Sequence, residues 1–174
     1  MKLFLDRIPS PIGAMVLVTD ESVVRALDFE DYEPRMNRLL RVHYGPCELE
    51  SRRERLGVRE AFDAYFAGDV HALDSIAVQT NGTTFQRAVW QELRRIAPGT
   101  TMSYGRLALQ LGAENGSRAV GSANGSNPVG IIVPCHRVIG SDGSLTGYAG
   151  DVSRKAWLLR HEGVAIAEPL SLPL

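Results

Sequence analysis

Residues 130–140 read GIIVPCHRVIG. Ile131, Ile132 and Val133 are branched and apolar, so they favour an extended, buried segment. Pro134 supplies no backbone N–H and ends any ladder that such a segment joins. The stretch therefore predicts a buried strand that stops at Pro134 and presents Cys135 and His136 at its end. A strand of that kind needs a core around it. The chain has 174 residues, 44% hydrophobic and 22% charged, enough for one ordinary domain or two small ones. No apolar run reaches the roughly 18 residues of a membrane span. The N-terminus lacks a signal-peptide layout. A cytoplasmic protein with no membrane partner is expected.

Cys47 is the one other cysteine. Neither cysteine belongs to a Cys/His set at zinc-finger spacing, so neither a structural metal nor a disulfide framework is expected. Cys135 reads as a free thiol. Charge divides the chain. Residues 1–80 hold ten Lys/Arg against fourteen Asp/Glu, whereas residues 81–167 hold nine against five. An acidic front and a basic back suggest two units, the second suited to an anionic partner.

The pattern of the front unit supports that division. Residues 3–8, 13–19 and 22–29 are rich in Val, Leu, Ile and Phe and read as antiparallel strands. Residues 32–45 and 52–68 have helical spacing and end at Gly45 and Gly68. SIAVQT, at 75–80, returns toward the sheet. After the linker TNGTT, Thr84 can cap a helix whose Phe85, Val89, Leu93 and Ile96 share one face. Ser103 can cap a short helix that Gly112 stops, and a brief turn leads to GSRAVGSANGSNP, halted by Pro128. Two short helices so spaced make a helix-turn-helix. The second is almost all Gly, Ala, Ser and Asn, with Arg118 its one charge. Small residues let a backbone approach another surface closely, either the rest of the domain or nucleic acid. SDGSLTGY reads as a turn and a short strand. Asp151 or Ser153 then caps a last helix ending at Gly163, and the tail is irregular. The expected units are 1–80, 81–167 and the tail 168–174.

A thiol is a nucleophile only as thiolate, so Cys135 needs a lowered pKa or a base. His136 is adjacent, although strand neighbours point to opposite faces. A third group should orient the imidazole. Glu92, Glu114, Asp142 and Asp151 sit in exposed-looking helical, turn or capping contexts. Glu162 lies in a last helical turn, where its charge opposes the helix dipole, so something else must favour it there. Spacing alone thus offers a Cys/His/Glu system. It fits a cysteine hydrolase, while a helix-turn-helix regulator with an inert buried cysteine remains open.

PCHRVIG, preceded by SRAVGSANGSNP and followed by GYAG and WLLRHEG, closely resembles the O6-alkylguanine-DNA alkyltransferases, also called methylated-DNA–protein-cysteine methyltransferases. The likeness covers roughly residues 84–165. It extends more loosely through SPIG and YFAG in the front unit, and looks most like the bacterial Ogt type, without an extra cysteine-rich N-terminal domain. It implies an α+β fold: a small RNase H-like N-terminal α/β domain and a mostly helical C-terminal domain with a helix-turn-helix and a short sheet. It implies a monomer that needs no cofactor and works on double-stranded DNA carrying O6-alkylguanine, with O4-alkylthymine as a further substrate.

The residue roles carried over are these. Cys135 would accept the alkyl group, His136 would act as base through a water, and Glu162 would orient it. Asn127 would be the hinge before the active-site strand. Tyr104 would assist at guanine N3. Arg118 would fill the gap left by a flipped base, with Ser117, Ala119, Gly121, Ser122, Asn124 and Gly125 of the same helix against the minor groove. Pro134, Val138, Tyr148 and Ala149 would line the pocket; many relatives have Ser or Gly where Ala149 stands. Small residues suit a groove only about 6 Å wide. The product would be a thioether on Cys135, which no group in the sequence could hydrolyse. Non-catalytic lesion-binding relatives replace the acceptor cysteine, so Cys135 argues against that alternative.

Overall fold

The computed structural model of the chain describes residues 1–166. The expected irregular tail, 168–174, lies outside them. Strands β1 (Lys2–Ile8), β2 (Met15–Thr19) and β3 (Val24–Phe29) form the expected antiparallel meander. Strand β4 (Glu48–Ser51) pairs in parallel with β1 and gives the sheet order β3-β2-β1-β4. Its ELES sequence is exposed throughout and lacks the apolar alternation that marks a half-buried strand.

Side chains alternate across the sheet as the pleat requires. Val16 and Val18 of β2 face helix α1 (Glu33–Tyr44), whose Met36 and Leu40 close a small cluster with Leu3 and Ala26. Met15 and Leu17 face the other way, into the main core. Helix α2 (Val58–Phe66) enters that core through Val58, Phe62 and Tyr65. Burying an aromatic or aliphatic side chain there contributes about 1.5–3 kcal/mol. The helix expected over 52–68 is shorter at its start. Gly57 sits at φ 78°, and the Glu54 carboxylate accepts from the backbone N–H groups of Leu56, Val58 and Arg59. That carboxylate satisfies free N–H groups at the helix start.

Helix α3 (Thr84–Leu93) is capped by Thr83 rather than Thr84. Thr83 and Gln86 exchange hydrogen bonds in a capping box. Val89, Trp90, Leu93 and Ile96 are buried, while Phe85 stays at the surface. Strand β5 (Met102–Ser103) leads into helix α4 (Tyr104–Gln110), which Ser103 caps as expected. Helix α5 (Ser117–Gly125) follows after residues 111–116. This turn is longer than the sequence suggested, because Gly112 and Asn115 both adopt left-handed φ and end the helical path early. The Trp90 indole donates to the Ala123 carbonyl at 2.8 Å and fixes α5 against α3. Strand β6 (Val138–Ile139) pairs in parallel with β5. Asp151 caps helix α6 (Val152–His161). No strand forms in the SDGSLTGY segment: residues 141–143 turn, and residues 144–148 are irregular. Among the described residues, no helix is long and apolar enough to cross a membrane.

The apolar run ahead of Cys135 is not a strand. Val129 alone pairs with Leu27 on the free edge of β3, through Leu27 N–H to Pro128 O and Gly130 N–H to Leu27 O. Residues 130–133 then turn tightly, with Ile131 at φ 67°, an unusual conformation for a β-branched residue. SIAVQT also reaches that edge, through one bridge between Val78 and Val24. Both segments cover an edge that would otherwise offer unpaired backbone groups. Buried residues of the front sheet and of the helical half share one continuous core.

Candidate active site

Cys135, His136 and Arg137 form a single 3-10 turn, and all three are buried. Pro134, also buried, precedes the turn. Cys135 and His136 thus lie on a 3-10 turn and not on a strand, so the strict opposite-face alternation of a strand does not apply to them. The Cys135 thiol is almost wholly enclosed, and burial pushes its pKa up, with Asn127, Arg35 and Lys155 acting in the opposite sense. At neutral pH it is a thiol that needs a base.

His136 is completely buried. Its Nε2 lies 2.8 Å from Glu162 Oε1. Burial depresses the imidazole pKa more than the carboxylate raises it, so the ring is neutral. Glu162 is ionised. Hydrogen bonds from His136 and Arg137 outweigh its burial and bring its pKa down to about 2. An ionised carboxylate only accepts, which assigns the proton to Nε2 and leaves the lone pair on Nδ1. Nδ1 is buried and makes no hydrogen bond among the described residues.

The charge at the end of α6 is accounted for by its partners. Arg137 donates from Nε to Glu162 Oε2 at 2.9 Å and from Nη2 to Oε1 at 2.8 Å. Its Nη1 is held by the Ile96 carbonyl. The Tyr65 hydroxyl donates to Oε1 at 2.8 Å. Four hydrogen bonds on one buried carboxylate outweigh an unfavourable helix terminus worth at most about 2 kcal/mol.

Asn127 holds the turn before the site. Its side chain donates to Val133 O and accepts from Val129 N–H. Arg35 of α1 reaches the same corner, donating to the carbonyls of Gly125 and Asn127 and pairing with buried Asp28. Val138 is buried, and its carbonyl accepts from Lys155 Nζ at 2.6 Å. The same ammonium donates to Thr146 O. Lys155 is fully buried and has no carboxylate partner among the described residues, and burial lowers its pKa to about 8. Tyr104 is half-buried and donates to Thr146 O at 3.2 Å. A cavity of about 20 Å3, room for a water-sized group, touches Cys135 and is lined by Phe29, Ile131, Tyr148, Ala149 and Gly150. A Cβ on Gly150 would come within 2.8–2.9 Å of the Tyr148 and Phe29 rings, so only glycine leaves that wall undisturbed.

Helix α5 presents a different surface. Ser117, Arg118, Ala119, Ser122 and Gly125 are exposed, and Gly121 is half-exposed beside the Tyr104 ring. Arg118 has no hydrogen bond or ion pair among the described residues. Asn124 does not share this face. It is buried, and its amide donates to the Cys135 carbonyl at 3.3 Å, so it faces the thiol turn from behind. Among the described residues no group of three or more His, Cys, Asp or Glu could hold a metal ion.

Sequence reasoning missed Arg137, Lys155, Tyr65 and Arg35. Two left a signal. Arg137 is a charge inside an apolar run. Lys155, Leu158, Leu159 and Glu162 share one helical stripe, where two charged residues on a core face demand partners. Tyr65 and Arg35 come from the front half, and no spacing links them to the thiol.

The family model "6-O-methylguanine DNA methyltransferase, DNA binding domain" matches residues 84–164. A methylated-DNA–protein-cysteine methyltransferase of Salmonella typhimurium is 49% identical over 166 residues, covering 94% of this chain and 97% of the relative. The solved structure of Mycobacterium tuberculosis OGT in complex with DNA superposes with a TM-score of 0.75 at 38% identity, covering 93% of this chain and 92% of that one. A Pyrococcus kodakaraensis O6-methylguanine-DNA methyltransferase, 22% identical with a TM-score of 0.69, shares the fold. Full-length likeness at that identity leaves one conclusion: the chain belongs to the methylated-DNA–protein-cysteine methyltransferase family.

Proposed function

We propose that this chain repairs alkylated DNA by direct reversal, moving the alkyl group from guanine O6 to Cys135 in a single turnover. The observation that carries the reading is the buried sequence of groups Cys135, His136 and Glu162, with a neutral imidazole whose free nitrogen is Nδ1. His136 takes the thiol proton, through a bridging water. Glu162 stabilises the resulting imidazolium. The Cys135 sulfur forms a bond to the alkyl carbon while the carbon–O6 bond breaks and its electrons pass to guanine. Tyr104 supplies a proton at N3 so that the base does not leave as an anion. O4-alkylthymine presents the same alkyl–oxygen bond and is the second substrate.

The target base must leave the duplex to reach a buried thiol, at a cost of a few kcal/mol. Helix α5 enters the minor groove with its small exposed residues, and Arg118 fills the vacated stack. The protein acts as a monomer in the cytoplasm, with residues 1–80 as the supporting unit and 81–167 as the DNA-binding and acceptor unit. Asn127 holds the junction between α5 and the thiol turn. Tyr148 and Ala149 line the small cavity at Cys135, which must widen to admit a base, and Pro134 and Val138, outside its lining, flank the thiol turn.

The test is a turnover experiment. Duplex DNA carrying O6-methylguanine in excess over protein should be converted to plain guanine with the strand intact and no free base released. Conversion should stop when one lesion per protein molecule has been repaired. Continued conversion beyond that point, or release of free base, would contradict the proposal.

A further inference from the structure

Glu162 is reached from both halves of the chain. Its Oε1 receives His136 Nε2, Arg137 Nη2 and the Tyr65 hydroxyl, each at 2.8 Å. Tyr65 belongs to α2, 97 residues earlier in the chain. It is fully buried, edge-on to Phe62, Phe66 and His161, and its backbone carbonyl faces His161 Nε2. A buried phenol needs a partner for its proton. This one gives it to the oxygen that orients the base, although the front unit has no other hydrogen bond to that carboxylate.

We propose that Tyr65 is a positioning residue for alkyl transfer: its hydroxyl sets the charge and orientation of the Glu162 carboxylate and, through it, the proton affinity of His136. This rests on the reading of His136 as the base for Cys135. A donor on Oε1 draws electron density from the atom that faces His136 Nε2–H, which weakens the pull of Glu162 on an imidazolium. Burial and the neighbouring carboxylate push the phenol pKa far up, so Tyr65 stays a neutral donor across the working range. The other charged or titratable groups facing the pair are Arg137 from the 3-10 turn and Lys155 and His161 from α6. Arg137 and Lys155 both hold the His136 pKa down, and neither loses a partner when the hydroxyl of Tyr65 is removed.

Tyr65→Phe deletes the hydroxyl and keeps the ring. Glu162 then carries more charge on Oε1, and the His136 pKa rises. In the resting site the thiol is protonated and the imidazole neutral, so the active form is lost on the acid side when His136 protonates. The acid limb of the pH–rate profile should therefore move to higher pH, by roughly 0.5–1 unit, with a rate loss of roughly 3- to 10-fold below the limb. It should move alike with O6-methylguanine as free base and in duplex DNA. Phe62→Leu, a core change in the same helix that loosens the packing of the Tyr65 ring but deletes no hydrogen bond to Glu162, should lower thermal stability and leave the limb in place. A Tyr65→Phe profile that superimposes on wild type, or equal movement in both variants, overturns the Tyr65 proposal alone. Absence of methyl transfer by the wild type would remove the underlying reading as well.

Discussion

Glu162→Gln is the substitution whose cost the structure sets most narrowly. The carboxylate is buried and carries four hydrogen bonds, two of them from Arg137. A pKa brought from an ordinary 4.5 to about 2 corresponds to about 3 kcal/mol of preference for the ionised form at neutral pH. Breaking a buried ion pair by neutralising one partner costs about 3–5 kcal/mol by an independent route. In the variant, the new amide points its own donors at Arg137 Nε and leaves that guanidinium unpaired. We expect a loss near 3 kcal/mol in urea unfolding at pH 7, or about 6–12 °C in melting temperature. The pH dependence carries a sign. A depressed carboxylate pKa stabilises above its unfolded value and fades as pH falls through the folded one. The gap between wild type and variant should hold above pH 4.5 and close between 4.5 and about 2. Alkyl transfer should slow by about 100-fold or more, as His136 loses the anion that stabilises its charged form. A loss below about 1 kcal/mol, or a gap unchanged down to pH 2, would refute the assignment of Glu162 as a buried, ionised anchor.

Arg118→Ala should slow repair of duplex DNA by at least about 10-fold while leaving reaction with the free base within about twofold, measured by single-turnover label transfer; equal losses would remove the stack-filling role. Arg35→Met deletes the link from α1 to the Asn127 corner and leaves Asp28 buried and unpaired, so unfolding should show a loss of about 2 kcal/mol or more, with slower transfer on both substrates. Gly150→Val places carbon against the Tyr148 and Phe29 rings; the rate with either substrate should fall by about 10-fold or more, and an unchanged rate would show that this wall is not part of the pocket. Because exposed basic residues are few on α5, duplex affinity in a salt titration should fall less steeply than the roughly −0.9 per phosphate contact of a highly charged binder would give over six or more contacts.

Local patterns revealed the meander and two of the helix caps, because each depends on residues close in sequence; the cap of α3 was placed one residue late, at Thr84 in place of Thr83. Ser103 and Asp151 are caps that one residue type at one position announces. The run IIVP was misread because a short apolar stretch has no periodicity to separate a strand from a tight turn. Its single bridge to β3 and the positive φ of Ile131 are tertiary results. Strand β4 escaped notice because an exposed parallel edge needs no apolar alternation. In the site, the odd placement of Glu162 announced a missing partner, and the structure supplies three side chains. Arg137 was adjacent and readable as a charge in an apolar run. Tyr65 was not, since its hydroxyl is invisible in a pattern that marks it only as aromatic core. Asn124 shares its helix with the exposed residues, yet helical rotation turns it toward Cys135 rather than outward.

The proposed repair forms one lasting bond, from Cys135 sulfur to an alkyl carbon. Protein treated with duplex DNA bearing a labelled methyl on guanine O6 can be digested and its peptides mapped by mass. We predict one label per chain, on the peptide containing Cys135, none on that containing Cys47, and none anywhere in Cys135→Ser. Label on another residue, retention by Cys135→Ser, or repaired DNA with unmodified protein would contradict the account.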